Sequence, residues 1–325
     1  MMRAQLVRSL SDDLSSMRLE SVPVTLPGPG MIQVRMRAAS VNFPDILTIQ
    51  GKYQHKPDLP FTPGMEGAGD VVSIGDGVVA FKPGDRVVVG AKQGCFAEEL
   101  VVPVAAVRAL PAGVSYVQGA AYPVAYLTAY VALVRRGQLQ QGETLVVHGA
   151  AGGVGLAAVD LGKRMGARVI ATASSEEKRA FLLSYGADHA LPSSGFREAV
   201  KALTHGRGAE VIYDPVGGDV FDESVRCIAF DGRLLVIGFA GGRIPNVSVN
   251  MPLIKGFSIV GVRAGEYGRQ FPARGLENIQ AIDALAAAGA IRPHVCARLP
   301  LEQAREAMRM LEERRVIGKV VLEIA

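Results

Sequence analysis

One stretch, Val147–Lys178, constrains the fold more than any other: VHGAAGGVGLAAVDLGKRMGARVIATASSEEK. An apolar strand runs into a glycine-rich turn, then a helix, then a second apolar strand, in a unit of about thirty residues. Val154, Ala158, Leu161 and Met165 recur at helical spacing, and Gly166 stops the helix. The chain around it alternates in the same way. ETLVVH, ARVIAT, HAL, AEVIYD, GRLLVIG and FSIVGV read as six strands, and Tyr122 to Arg135 reads as the helix that leads into them. Six strands joined by crossover helices make a doubly wound parallel sheet, the α/β class.

The part before this sheet reads differently. Ile32, Val34 and Met36 alternate with Gln33, Arg35 and Arg37, the period of a half-buried strand. DVVSIGDGV, DRVVVG and FAEELVV are further strands, separated by Gly, Pro and Asp. About sixty residues follow the sheet, with helices expected around Ile279–Ala288 and Glu302–Glu313 and a last strand, GKVVLEI. So short a tail is a poor independent domain. It is expected to rejoin the first part, giving a mostly-β domain of residues 1–124 and 264–325 and a sheet domain of residues 125–263. With 325 residues, 49% hydrophobic, the chain buries a large core, yet no apolar run reaches membrane-spanning length. The N-terminus lacks an apolar signal core, and three widely spaced cysteines suit a reducing compartment, so a cytoplasmic location is expected. The net charge of +4 is dispersed rather than gathered on one face, which argues against a nucleic-acid surface. The five histidines show no metal-ligand spacing.

A dinucleotide turn needs small residues so that the backbone approaches the pyrophosphate at a helix N-terminus. Ala150, Gly152 and Gly155 take the three fingerprint positions, with Gly153 and Val154 between them. The same glycines could serve an ordinary tight turn, but strand before and helix after match the cofactor context. In such units a carboxylate ending the second strand takes the ribose hydroxyls of NAD. Here Ala173 stands there, followed by Ser174, Ser175, Glu176, Glu177 and Lys178. Nothing at Ala173 repels a 2′-phosphate; Lys178 supplies charge, and Ser174 and Ser175 supply hydroxyl donors. Ser174 with Glu177 also reads as a capping box, and Lys178 as a plain surface lysine. The reading favours NADPH over NADH.

The chain resembles the medium-chain dehydrogenase/reductase superfamily, and within it the zinc-free quinone oxidoreductases related to zeta-crystallin. SVNFPDIL, GKYQHKPDLPFTPGMEGAG, KPGDRVV, YPVAYLTAY, VIYDPVGGDVFDES, GRLLVIGFAGG and GKVVL carry the likeness together with the glycine-rich unit. The resemblance implies a GroES-like mostly-β domain beside a Rossmann six-stranded parallel sheet domain, with the cleft between them as the reaction site. Zinc-dependent members need a cysteine near the start of Asn42–Asp45 and a histidine before Glu66; Asn42 and Met65 stand there, so no metal is expected. Asn42, Asp45 and Tyr53 match cleft positions and are the catalytic residues the resemblance implies. Asn42 is expected to bond the cofactor or orient the acceptor, and Tyr53 to stack or to meet the developing oxygen. Asn42 and Asp45 also read as caps of the helix that Pro44 helps begin. Thr128, Gly217, Gly238, Phe239 and Ala240 match cofactor-side positions, while Asp214 and Glu66 read mainly as structural. Ile46 stands where some relatives carry a tyrosine, which leaves water as the proton source. The implied activity is NADPH-dependent reduction of a quinone. Reduction of an enone or enoyl-thioester C=C bond, and an NADPH-binding protein of low turnover, are the alternatives. A homodimer or homotetramer is expected, with FSIVGV as a candidate sheet edge.

Overall fold

The computed structural model describes residues 1–291 and 293–325. Its strands, in chain order, are β1 (Met2–Val7), β2 (Met17–Val22), β3 (Met31–Ser40), β4 (Glu66–Ile74), β5 (Arg86–Gly90), β6 (Glu99–Pro103), β7 (Val107–Ala109), β8 (Thr144–Val147), β9 (Arg168–Ala173), β10 (His189–Pro192), β11 (Ala209–Asp214), β12 (Ile228–Val236), β13 (Ser258–Gly261), β14 (Val295–Pro300) and β15 (Lys319–Glu323). The chain packs as two units: residues 1–124 with 283–325, and residues 125–282.

The first unit is GroES-like. Its large sheet runs β14-β15-β3-β4-β5-β7, with β6 also paired to β3. The long β3 can hold partners on both edges because Ile32, Val34 and Met36 all face the core. β15 lies antiparallel against β3, so Val321 faces Ser40 and Leu322 faces Ala39. The tail therefore closes the sheet begun near the N-terminus. The helix Ala304–Glu312 buries Ala304, Ala307 and Met308 in the same core as Ile32 and Val34. The hairpin β1–β2 and the short β14 and β7 had no reading in the sequence, because their apolar residues are too few to set a period.

The second unit is Rossmann-like. All six strands are parallel, in the order β10-β9-β8-β11-β12-β13. Leu145, Val146 and Val147 of β8 are buried on both faces, which is why that strand reads as a continuous apolar run. The strand order reverses between β8 and β11, and ligands of such sheets gather at the carboxyl ends flanking that point. β13 is a sheet edge, with Ser258 and Ile259 exposed.

Three expectations need correction. The helix expected over Tyr122–Arg135 forms as Pro123–Tyr130, but its last part, Val131–Arg136, is π-helical, and a separate helix, Tyr116–Ala121, precedes it, since Pro123 has no N–H to continue that earlier helix and starts a new one instead. The second boundary, expected at 263/264, lies at 282/283. The helix Pro272–Ala287 is held to the Rossmann unit by Arg135, which donates to Asn278 Oδ1 at 2.8 Å and to Glu277 at 2.7 Å. The third concerns Ser174. β9 pairs through Ala173, so the helix cap falls one residue later, on Ser175, whose Oγ accepts from Lys178 N–H at 3.3 Å. Glu177 is then out of register for a capping box.

Candidate functional site

In the Rossmann unit, β8 ends on Val147 and the chain turns sharply at Gly149, whose φ of +54° lies in the left-handed region. Gly152 donates its N–H to Gly149 O at 3.0 Å and caps the helix Gly153–Arg164 without offering a side chain. Ala150 donates to Thr172 O at 3.1 Å, tying the turn to the neighbouring strand. The two fingerprint glycines do different things. A Cβ on Gly155 would lie 2.5 Å from Gly149 O and 2.7 Å from Ala150 Cα, so Gly155 serves the tight packing of turn on helix. A Cβ on Gly152 would meet only Gly149 O, at an ordinary 3.4 Å. The space in front of Gly152 is thus left open at a helix N-terminus, which is the room a pyrophosphate needs. The residues present fit a dinucleotide.

The flanking positions lie at the same end of the sheet. Ser174 is exposed just past β9, and Lys178 is half-buried in the first turn of the helix Glu176–Tyr185. Arg179, which sequence reasoning passed over, folds back so that its guanidinium donates to Ala173 O at 3.3 Å. A second cation therefore stands beside Lys178 in a first helical turn that also carries Glu176 and Glu177. Asp214, ending β11, accepts from Val216 and Gly217 N–H at 2.8 and 2.9 Å, and its role is to shape that turn. Gly217, at φ +70°, lets the Phe239 ring lie close, since a Cβ there would come within 2.8 Å of it. Ala240 donates to Pro215 O at 3.0 Å, so the Gly238–Ala240 loop is anchored to the β11 turn. Thr128 is half-buried in the helix Pro123–Tyr130.

His148 was also missed. It is buried between Thr172 Oγ1 (2.9 Å from Nδ1) and Ser224 Oγ (2.8 Å from Nε2), against the Phe196 ring at 4.6 Å. Ser224 Oγ donates onward to Val220 O, so it accepts from His148 Nε2–H, and Thr172 donates to Nδ1. The imidazole is neutral, and burial pushes its pKa down to about 3. It ties β8, β9 and the helix Gly218–Ser224 together behind the glycine turn. Its signal in the sequence was a lone histidine between an apolar strand and the fingerprint.

In the GroES-like unit a second cluster gathers around the helix Phe43–Ile49. Asp45 Oδ2 accepts from Asn42 N–H at 2.8 Å and its Oδ1 from Gly64 N–H at 3.3 Å. Burial raises the Asp45 pKa to about 7, opposed by those N–H groups and by the Lys319 ammonium. Glu66 is fully buried. Its Oε1 accepts from Asn42 Nδ2 at 2.9 Å and from Lys319 Nζ at 3.0 Å, and its Oε2 from Val124 N–H at 2.8 Å. Lys319 donates also to Asn42 Oδ1 at 2.6 Å and to Val41 O at 3.4 Å. The structure thus brings Asn42 and Asp45 together with Glu66 and adds a lysine that sequence reasoning read only as part of a strand. A lysine heading the buried run Val320–Leu322 was the available signal, because lysine is almost never buried unpaired. Cys95 is buried close by, its thiol pKa raised by burial and by the two carboxylates, so it is an inert packing group. Tyr53 is half-buried beyond the helix, its N–H on Leu47 O at 3.2 Å. Among the described residues no group of three or more His, Cys, Asp or Glu is arranged to hold a metal ion.

The chain matches the family model described as zinc-binding dehydrogenase over residues 153–281 and that of the alcohol dehydrogenase GroES-like domain over residues 28–112. It is 38% identical to the mouse (Mus musculus) quinone oxidoreductase-like protein 2 over 325 residues, 99% of this chain and 92% of that one. Among solved structures, a quinone oxidoreductase of Pseudomonas syringae pv. Tomato DC3000 superposes with a TM-score of 0.90 at 30% identity, covering 99% of this chain and 100% of that chain. A mycobacterial protein complexed with NADPH gives 0.91 at 30% identity, with the same coverage. Two domain models in the right order, relatives matched over more than nine-tenths of their length, and an amide and a thioether where zinc ligands would stand lead to one assignment: the chain belongs to the medium-chain dehydrogenase/reductase oxidoreductases, among the zinc-free quinone oxidoreductase-like members.

Proposed function

We propose that this oxidoreductase transfers hydride from NADPH to a quinone. The observation that carries the cofactor half is the open glycine turn beside a strand end that has Ala173 in place of an acid and two cations, Lys178 and Arg179, within the next turn. An anionic 2′-phosphate is favoured there and a bare ribose gains nothing from a carboxylate. Ala150, Gly152, Gly153, Val154 and Gly155 would hold the pyrophosphate, Ser174 and Lys178 the 2′-phosphate, and Thr128, Gly217, Gly238, Phe239 and Ala240 the nicotinamide side. The bound cofactor supplies the hydride; the protein supplies position and exclusion of water. Tyr53 would offer its ring or hydroxyl to the acceptor. Asp45, with both oxygens on backbone N–H groups, acts by setting the start of the helix that carries Asn42. The acceptor half is supported by relatives whose names carry quinone oxidoreductase.

NADPH and NADH oxidation measured side by side against a small quinone, a simple enone and an enoyl thioester tests both halves. Turnover with NADPH and the quinone is expected. Preference for NADH would overturn the cofactor reading, and turnover confined to the enone or thioester would make the protein a C=C reductase. Binding without turnover on any acceptor would make it a low-turnover NADPH-binding protein. We further propose a homodimer joined along β13, supported by exposed Ile259 on that edge and exposed Phe230, Leu253 and Ile254. A monomer by sedimentation, unchanged by Ile259→Lys, would refute it. The three cysteines are free, as a reducing cytoplasm would leave them.

A further inference from the structure

His148 stands one residue before Gly149, and its bonds have a fixed direction. Thr172 Oγ1 donates to Nδ1, and Nε2–H donates to Ser224 Oγ, which donates onward to Val220 O. The backbone N–H of His148 goes to Tyr213 O at 3.0 Å, so β8 is held to β11 right up to the turn. Ser224 ends the helix Gly218–Ser224, and that helix carries the loop that follows β12. Arg243 pairs with Asp219 at 2.7 Å and also with Asp222, both on the helix. Gly241 donates to Val216 O at 2.8 Å, and the Phe239 ring lies against Gly217 at the helix entrance. The helix is thus pinned at its entrance by Asp214, which accepts from Gly217 N–H, and at its exit by His148. The Glu223 carboxylate ties it sideways, to Gly195 and Arg197 N–H; the His148 bond is what leads to the glycine turn.

We propose that His148 is a positioning residue for the cofactor: through Ser224 and the helix Gly218–Ser224 it sets the spacing between the glycine turn and the loop Gly238–Ala240. Those are the places read above as holding the pyrophosphate and the nicotinamide side. This deepens the NADPH reading above and rests on it. A dinucleotide has to reach both places at once, so an error in their spacing weakens the hold on the nicotinamide half. The adenine half is spared. The bonds of the turn itself, Gly152 N–H to Gly149 O and Ala150 N–H to Thr172 O, are made by backbone and do not need the imidazole. A neutral imidazole suits the task because it accepts on one nitrogen and donates on the other, and its ring packs on Phe196 at 4.6 Å.

The test compares NADPH with adenosine 2′,5′-bisphosphate, which carries the adenine half without the nicotinamide, by calorimetric titration of the full chain. Losing one neutral hydrogen bond leaves the loop in its binding position for about a third to a tenth of the time, and the apparent affinity falls by that fraction. Ser224→Ala, which removes the partner of Nε2–H, and His148→Leu are therefore each expected to weaken NADPH about 3- to 10-fold while moving the bisphosphate less than about 2-fold. Thr172→Val removes the bond on the other nitrogen and leaves Nε2–H on Ser224. It is expected to keep the ratio of the two affinities even where it lowers stability. A merely structural role would weaken both ligands together in all three variants. A ratio unmoved by Ser224→Ala and His148→Leu, or moved as far by Thr172→Val, overturns the proposal and leaves the cofactor reading intact. Binding of neither ligand by the unmodified protein overturns both. If His148→Leu does not fold, Ser224→Ala and Thr172→Val decide.

Discussion

Replacing each fingerprint glycine by alanine separates the two roles of the turn. At Gly155 an added Cβ would sit 2.5 Å from Gly149 O and 2.8 Å from Ala150 O, both backbone atoms of the turn itself. Neither can yield without opening the turn, so Gly155→Ala is expected to destabilise the protein by about 1–3 kcal/mol, the usual penalty of overpacking. At Gly152 the backbone is already in a conformation that alanine adopts, φ −80° and ψ 169°, and the added methyl meets only Gly149 O at 3.4 Å. Its fold penalty is the difference between glycine and alanine as helix caps, about 0.5–1 kcal/mol. The methyl instead fills the space in front of the helix N-terminus. Losing one charge-assisted bond from backbone N–H to phosphate costs about 1.5–3 kcal/mol. That converts to a roughly 10- to 150-fold weaker NADPH complex. Urea denaturation reads the first quantity, and a fluorescence titration of NADPH the second. The expected pattern is a crossed one: Gly155→Ala loses stability, and Gly152→Ala loses affinity at near-normal stability. A Gly152→Ala protein that binds NADPH normally would refute the placing of the pyrophosphate at this turn.

Lys319→Met leaves the Glu66 carboxylate buried without its cation and is expected to lower stability by about 3–5 kcal/mol in urea denaturation; a loss under about 1 kcal/mol would refute the reading of Lys319 as the cation that supports Glu66. His148 is held neutral with its pKa down at about 3 against an ordinary 6.5. The unfolded chain therefore binds a proton that the folded one refuses between those values, and stability rises with pH across that window. Relative to His148→Gln, the protein is expected to lose about 1.4 kcal/mol per unit as pH falls from about 6.5 towards 3, and parallel pH curves would refute the assignment. Asp45, with its pKa raised from 3.8 to about 7, has the opposite sign: it stabilises at low pH and that contribution is lost as pH rises through 7. Asp45→Asn, which stays neutral, is expected to flatten that loss in the same measurement. Lys178→Ala and Arg179→Ala are each expected to cut the preference for NADPH over NADH roughly 10-fold in kcat/KM, while barely moving NADH turnover. An unchanged ratio in both variants would leave the strand end without a phosphate role.

Much of the fold was legible because its strands are long enough to carry a pattern. β8, β9 and β11 are buried on both faces and read as unbroken apolar runs, and the glycine turn between β8 and its helix fixed their order. β10 was legible only by its position after a helix, and β1, β2, β7 and β14 not at all. The domain boundary slipped because an amphipathic helix reads the same whichever unit it packs on: the boundary falls within the helix Pro272–Ala287, whose Glu277 and Asn278 accept from Arg135 while Asp283 accepts from Arg108 and Tyr122. At the site, residues close to a motif were found and residues distant in sequence were not. Asn42 and Asp45 are local to one helix start; Lys319 reaches them through the pairing of β15 with β3, which a linear pattern does not carry. Arg179 was overlooked because its side chain folds back towards Ala173, against the outward direction expected of a charged residue in a first helical turn.

The joining of Lys319 to Asn42 also sets an order of events during synthesis. The two residues are 277 positions apart, and the whole Rossmann unit is made between them. That unit has all six of its strands before Lys319 is translated, and domains generally fold as units while the chain emerges. One end of the N-terminal sheet must wait: until β15 arrives, the Ala38–Ser40 end of β3 lacks that neighbour and Glu66 lacks its cation. A nascent chain paused short of β15 would thus hold a finished nucleotide-binding module beside an exposed β3 edge, and that edge is the surface a chaperone would have to cover.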